Sequence, residues 1–180
     1  MARLTLVLGG ARSGKSARAL ALAADRSPRL FIATAEALDD EMAERIAAHK
    51  AERGADWTLA EAPLDPGAPL AGLAPGGVAV IDCLTLWLSN LMHHERDIPA
   101  ATGALLAATA SATARGHVVM VSNEIGLGLA PMNALARAFR DAQGRLNQQV
   151  AAAADRVEFV AAGLPLVLKG QEADAPARRR

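Results

Sequence analysis

Tyrosine is absent from this 180-residue chain, cysteine occurs once, and the only other aromatic side chains are two tryptophans and three phenylalanines. So thin an aromatic set leaves no stacking platform for single-stranded nucleic acid. The single cysteine, Cys83, excludes an intrachain disulfide and a cysteine-only metal cluster. It reads as a small buried hydrophobe rather than a reactive thiol. Neither sign of charge is in excess, since 19 Lys and Arg balance 19 Asp and Glu. That balance removes the electrostatic footprint of a nucleic-acid or anionic-membrane partner. No apolar run reaches the length of a membrane-crossing helix, and the first residues enter a strand without the basic, apolar and small-residue succession of a signal peptide. A cytoplasmic protein with no membrane span and no nucleic-acid partner is expected.

What is present is a hydrophobic content of 52%, carried largely by alanine and leucine, which favours helices packed on a core of small residues. The most informative stretch is Gly9-Gly10-Ala11-Arg12-Ser13-Gly14-Lys15-Ser16. It follows the apolar run Leu4 to Leu8 and leads into an alanine-rich helix, so it has the strand-to-helix setting of a P-loop. In that loop backbone N–H groups wrap phosphates, the lysine reaches the outer ones, and the hydroxyl of Ser16 holds magnesium. The positive dipole end of the following helix adds to the attraction.

Further along, Arg29 to Thr34 reads as a short buried strand, and Asp56 to Glu61 as another ending in a carboxylate. Thr34 at its strand end either sees a nucleotide or bonds to backbone. Between these strands a helix is expected from Asp39 to about Arg53, with Met42, Ile46, His49 and Arg53 within about 40° of one another on one stripe. The stripe begins apolar and ends ionic, so a helix docked through Met42 and Ile46 also aims His49 and Arg53 inward. With Lys50, these groups suit a phosphate site better than a core.

Pro63 to Gly77 is an exposed connection with one helical turn near Leu70. Val78 to Asp82 is a continuous apolar run closed by a carboxylate, the pattern of a buried parallel strand carrying the magnesium-directed or second-layer aspartate of a P-loop enzyme; the other reading of Asp82 is a cap for the helix that follows. Leu84, Trp87, Leu88 and Leu91 then mark one face of a helix that ends at His93-His94, a solvated end rather than a metal pair. A helix from about Pro99 to Arg115 returns the chain to the strand beginning at His117. Beyond it lies the loop Asn123-Glu124-Ile125-Gly126, where Glu124 is a candidate general base, metal contact or substrate contact, or else a brace for the loop. The longest helix runs to about Ala154 with Leu135, Phe139, Leu146 and Val150 inward. Two last strands meet at Gly163, the final one antiparallel at an edge where Pro165 is tolerable. Strands alternating with helices give an α/β fold of P-loop NTPase type, a mostly parallel sheet with helices on both faces. One catalytic domain is expected over 1–169, with 170–180 a disordered tail.

Taken together, the motifs resemble a known family. Gly9 to Ser16, Ile32 to Ala35, Leu38 to Ile46 leading to His49-Lys50, Asp82 to Thr85, Ser122 to Gly128 and Phe139 to Gln148 are similar to those of the bifunctional adenosylcobinamide kinase / adenosylcobinamide-phosphate guanylyltransferase family of cobalamin biosynthesis. The resemblance covers nearly the whole chain to Lys169. It implies that adenosylcobinamide is phosphorylated with ATP or GTP, and that GMP then passes from GTP to adenosylcobinamide phosphate through a guanylyl-histidine. His49 inherits the nucleophile role beside Lys15 as the other catalytic residue. Gly9, Gly10, Ala11, Arg12, Ser13, Gly14, Lys15, Ser16, Ala33, Thr34, Ala35, Lys50, Ala51, Glu52, Arg53, Glu61 and Asp82 line the GTP site by the same matching, with Mg2+ at Ser16 and Asp82. It further implies a homo-oligomer, with a trimer expected. The chemistry is consistent, because a histidine that attacks phosphorus must be neutral and Lys50 and Arg53 disfavour its protonated form.

Two other readings compete. A small-molecule kinase with a structural His49 would transfer phosphoryl groups without covalent GMP, and a GTP-gated binding protein would modify no substrate.

Overall fold

The computed structural model describes residues 3–36 and 56–170. Seven strands form one sheet: β1 (Leu4–Gly9), β2 (Arg29–Ala33), β3 (Trp57–Glu61), β4 (Val78–Asp82), β5 (His117–Asn123), β6 (Arg156–Ala161) and β7 (Leu164–Lys169). Their order across the sheet is β3-β2-β4-β5-β1-β6-β7. All neighbours are parallel except β6 and β7. Four α-helices accompany them among the described residues: α1 (Lys15–Ala23), α2 (Leu84–His93), α3 (Ile98–Thr113) and α4 (Ala134–Ala153).

Strand periodicity decides which side chain meets which layer. On β1, Leu4, Leu6 and Leu8 point to the side where α2, α3 and α4 pack, and join Leu84, Trp87, Leu88, Leu91, Leu105, Leu146 and Val150 in the larger core. Val7 points to the opposite side, against Ala19 and Ala23 of α1 with Val80, Val119 and Val121. The central strands are therefore apolar on both faces, as a parallel sheet between helices requires. The small alanines of α1 allow that helix to lie close over β1, β4 and β5.

The helix starts are fixed by side chains. Asp97 accepts a hydrogen bond from the N–H of Ala100 at the start of α3. Asn133 accepts from Leu135 and Ala136 at the start of α4. The predicted turn near Leu70 is a short 3-10 helix, Ala68–Gly72. The exposed Leu164, Leu166 and Leu168 alternate along β7, the antiparallel edge strand.

One expected inward residue is not inward. Leu135 is 67% exposed, whereas Phe139, Leu146 and Val150 of the same helix pack on the core. The reason is position, because the first turn of α4 follows the exposed Leu127, Leu129 and Met132 and lies beyond the cover that the sheet gives to later turns. The expected helix from Asp39 to Arg53 lies outside the described residues. So does the expected tail beyond Gly170.

Candidate functional site

Parallel register brings the carboxyl ends of the strands to one edge, where open α/β sheets bind ligands. Gly9 pairs with Asn123 and Val160, and Ala33 pairs with both Asp82 and Glu61. Glu61, Ala33, Asp82, Asn123 and Gly9 thus stand in sequence along five adjacent strand ends. At about 4.8 Å per strand, the row from Gly9 to Glu61 spans about 19 Å. Asp82 is two strands from the P-loop strand, and the gap between them is filled by the tip of β5.

The loop itself has the geometry its sequence implies. Gly14 sits at the start of α1 with φ 95° and ψ 7°, a left-handed conformation for which glycine is suited. Arg12 also has positive φ, at 53°. The turn is closed by the Ser13 N–H donating to the Gly10 carbonyl at 3.3 Å, and the Lys15 ammonium arches back to the same carbonyl at 3.1 Å. Gly9 is needed for space. A Cβ there would collide with Ser13 Oγ and lie 2.6 Å from the Val160 carbonyl. The hairpin turn between β6 and β7 braces the loop from outside, with the Gly163 N–H donating to the Ser13 carbonyl at 2.8 Å.

Beneath the loop, Arg18 of α1 grips Glu158 of β6 through two hydrogen bonds of 2.7 and 2.9 Å, and Arg156 adds a third at 2.7 Å. Burial alone would raise the Glu158 carboxyl. The hydrogen bonds and charges of Arg18 and Arg156 outweigh it and hold the group below its ordinary value.

Other expected residues find defined places. Thr34 is fully buried and its hydroxyl both donates to the Cys83 carbonyl and accepts from the Cys83 N–H, each at 2.7 Å. Of the two readings of its hydroxyl, the backbone bond is the one observed. Asp82 ends β4, but the residue at the start of α2 is Cys83, so the carboxylate is not the helix cap. Cys83 is buried, and burial first, then the neighbouring Asp82 charge, push its thiol above the usual range, while the backbone N–H groups of Leu86 and Thr85, and more weakly Lys15, oppose them. It is not an activated nucleophile. Glu124 accepts from the Gly126 N–H within its own loop, and its own N–H donates to the Gly9 carbonyl at 3.1 Å. Its side chain braces the loop in this structure.

His93 and His94 are exposed at the end of α2, where His94 Nε2 lies 3.1 Å from Glu36 Oε2. Among the described residues no three His, Cys, Asp or Glu side chains gather where they could hold a metal. A hydroxyl and a single carboxylate nevertheless fit magnesium, which takes one or two protein oxygens and leaves its other positions to phosphates and water. His49, Lys50, Ala51, Glu52 and Arg53 lie outside the described residues.

Sequence reading passed over Asn123 as a site residue. Its signal was the polar pair Ser122-Asn123 ending an otherwise apolar strand, and the register sets Asn123 beside Gly9.

A family model described as cobinamide kinase / cobinamide phosphate guanyltransferase matches residues 5–168. The chain is 44% identical over 170 residues to the bifunctional adenosylcobalamin biosynthesis protein CobP of Pseudomonas aeruginosa, covering 92% of this chain and 97% of that one. It is 43% identical to the corresponding CobU protein of Salmonella typhimurium, covering 92% and 99%. Among solved structures, an ATPase from the type III secretion system of pathogenic bacteria matches with a TM-score of 0.56 at 8% identity, over 92% of this chain and 56% of that one. That likeness is one of fold, and it is the P-loop NTPase fold.

Proposed function

The chain belongs to the cobinamide kinase / cobinamide phosphate guanyltransferase family and is a bifunctional transferase of adenosylcobalamin biosynthesis; from that premise we propose how its residues divide the work. In the first reaction the hydroxyl of adenosylcobinamide attacks the terminal phosphorus of ATP or GTP, giving adenosylcobinamide phosphate and the nucleoside diphosphate. In the second, the neutral imidazole of His49 attacks the α-phosphorus of GTP and expels pyrophosphate. The phosphate of adenosylcobinamide phosphate then displaces the histidine to give adenosylcobinamide-GDP.

The N–H groups of residues 9 to 16 bind the phosphates, and the Lys15 ammonium moves from the Gly10 carbonyl to the transferring group, where charge develops. Ser16 and Asp82 hold Mg2+, whose role is to neutralise charge on the phosphates. Ala33, Ala35 and Glu61 supply the far end of the nucleotide site. Thr34 supports the nucleotide site by holding the strand end in place, since its hydroxyl is committed to Cys83, its N–H to the Asp82 carbonyl and its carbonyl to Asn90. Lys50 and Arg53 keep His49 unprotonated. A cytoplasmic setting, where nucleoside triphosphates are supplied, and assembly as a homo-oligomer, a trimer by the resemblance, belong to the same reading, and sedimentation measures the latter.

The observation that carries the proposal is the convergence of a fully formed P-loop with Ala33, Asp82 and Glu61 at one sheet edge. The test is incubation with magnesium and GTP labelled at the α-phosphate, followed by denaturation. Acid-labile, alkali-stable label on the wild-type chain and none on His49→Ala is the expected result. A folded, GTP-binding protein that takes up no label is instead a kinase without the guanylyl step. Label that persists in His49→Ala removes that histidine from its role.

A further inference from the structure

At the tip of β5 a polar cluster is buried where apolar residues would pack more cheaply. Ser122 is fully buried, Gln143 and Asn147 of α4 nearly so, and all three side chains touch. Ser122 Oγ donates to Asn147 Oδ1 at 2.7 Å, and Gln143 Nε2 donates to both Ser122 Oγ at 2.9 Å and Asn147 Oδ1 at 3.0 Å. The cluster leads outward to one residue. Asn147 Nδ2 donates to the Asn123 carbonyl at 3.0 Å, while the Asn123 N–H donates to Thr85 Oγ1 of α2 at 2.9 Å. Both backbone polar groups of Asn123 are therefore held by side chains, one from each of two helices. A buried polar network costs stability wherever a group lacks a partner, as Gln143 Oε1 does among the described residues, while the bonds that are made fix one geometry. Here the geometry it fixes is that of Asn123.

The place so fixed lies between the two halves of the phosphate site. Asn123 pairs with Gly9, the first residue of the P-loop, and its carboxamide Nδ2 lies 4.0 Å from Cys83 Sγ at the tip of β4. The side chain thus reaches from β5 to Cys83, the residue that follows Asp82 at the end of β4.

We propose that Asn123 is a phosphate-contacting residue, its Nδ2–H donating to a non-bridging oxygen on the outer phosphate of the nucleoside triphosphate, with Gln143, Asn147, Ser122 and Thr85 as its positioning residues. The inference rests on the P-loop being the nucleotide site. A contact to the outer phosphate favours triphosphate over diphosphate and leaves diphosphate affinity alone.

The test compares binding of a βγ-imido GTP analogue and of GDP, both with magnesium, to the full-length wild type, Asn123→Ala and Asn123→Asp. Loss of a hydrogen bond to a charged group is expected to cut the triphosphate-to-diphosphate affinity ratio by about tenfold or more in Asn123→Ala. Asn123→Asp is expected to cut it further, because a carboxylate then faces a phosphate. A purely structural role predicts the reverse order, since aspartate keeps the shape of asparagine and alanine does not. The ratio is measured on the folded fraction, so a drop in stability does not obscure it. A ratio within twofold of wild type in both variants, or a milder effect from aspartate than from alanine, overturns the proposal while leaving the nucleotide site intact. A wild type that binds neither ligand overturns the nucleotide site and this inference with it.

Discussion

Single residues in this protein are constrained by space as much as by chemistry. At Gly9 even one methyl group would collide with Ser13 Oγ and press on the Val160 carbonyl. Neither neighbour has room to yield, because Val160 is itself fully buried and Ser13 is tied to the β6-β7 turn through Gly163. Gly9→Ala is expected to cost about 1–3 kcal/mol in overpacking and to abolish GTP binding by calorimetry, since any relief moves the loop away from its phosphate-binding shape. Thr34 makes the complementary point about hydrogen bonds. Its hydroxyl satisfies both the N–H and the carbonyl of Cys83, in a place closed to water. Thr34→Val has nearly the same shape, yet it strands the Cys83 N–H, the carbonyl keeping its bond from the Trp87 N–H, and is expected to lower unfolding free energy by about 1–3 kcal/mol in denaturant titration. The sequence placed Thr34 at a strand end without saying where the hydroxyl pointed, because that depends on the neighbouring strand, which is 49 residues away.

At the scale of elements, local pattern and long-range placement separate cleanly. The inward face of α2, Leu84, Trp87, Leu88 and Leu91, was legible from 3.6-residue spacing, and the run from Val78 to Asp82 from its unbroken apolarity. Leu135 failed because periodicity assigns a face, while burial also needs a neighbour, and the first turn of α4 has none among the described residues. The Asn123 site was unreadable for a related reason. Only the register of β5 with β1, and two helices arriving from elsewhere, give that asparagine a meaning. The same is true of Asn90 on α2, whose side-chain amide donates to the carbonyls of Thr34 at 2.8 Å and Pro63 at 3.0 Å. Trp87 Nε1 adds a bond to the Leu64 carbonyl at 3.0 Å. One helix thereby fastens the chain both before and after the stretch that contains His49. Asn90→Ala takes the amide donor from a buried carbonyl and a half-buried one and is expected to cost about 1–3 kcal/mol. Covalent GMP at His49 should fall by a larger factor than phosphorylation of adenosylcobinamide, measured side by side on the same preparation. Equal losses in the two reactions would show that α2 supports the whole sheet edge rather than that stretch.

The molecule as a whole carries no formal net charge, and one of its carboxylates is buried between two partly exposed arginines. Glu158 is 0% exposed and joins α1, which begins at the P-loop, to β6. Its carboxyl is held below the ordinary value of 4.5, the net of burial, which raises it, and the bonds and charges from Arg18 and Arg156, which prevail. A group whose folded value lies below its unfolded value binds protons more readily when unfolded, so its contribution to stability is complete above the unfolded value. That contribution disappears as pH falls toward the folded value. Asp155, depressed by the N–H groups of Leu4 and Arg3, acts in the same direction at the opposite edge of the sheet. Stability is therefore expected to be level from neutral pH down to about 4.5 and to decline below it. Glu158→Gln leaves two arginines facing a neutral amide and should cost about 3 kcal/mol at pH 7. The variant should also lose less than the wild type on acidification, because its ionisation no longer contributes, so the two curves of unfolding free energy against pH converge in acid. Parallel curves would mean that the carboxylate is equally stabilised in the unfolded chain. Since Arg18 lies one turn beyond Lys15 on α1, the Gln variant should weaken nucleotide binding at neutral pH as well. Arg18→Lys keeps the charge but not the paired hydrogen bonds, and so should lose part of the stability that Glu158→Gln loses.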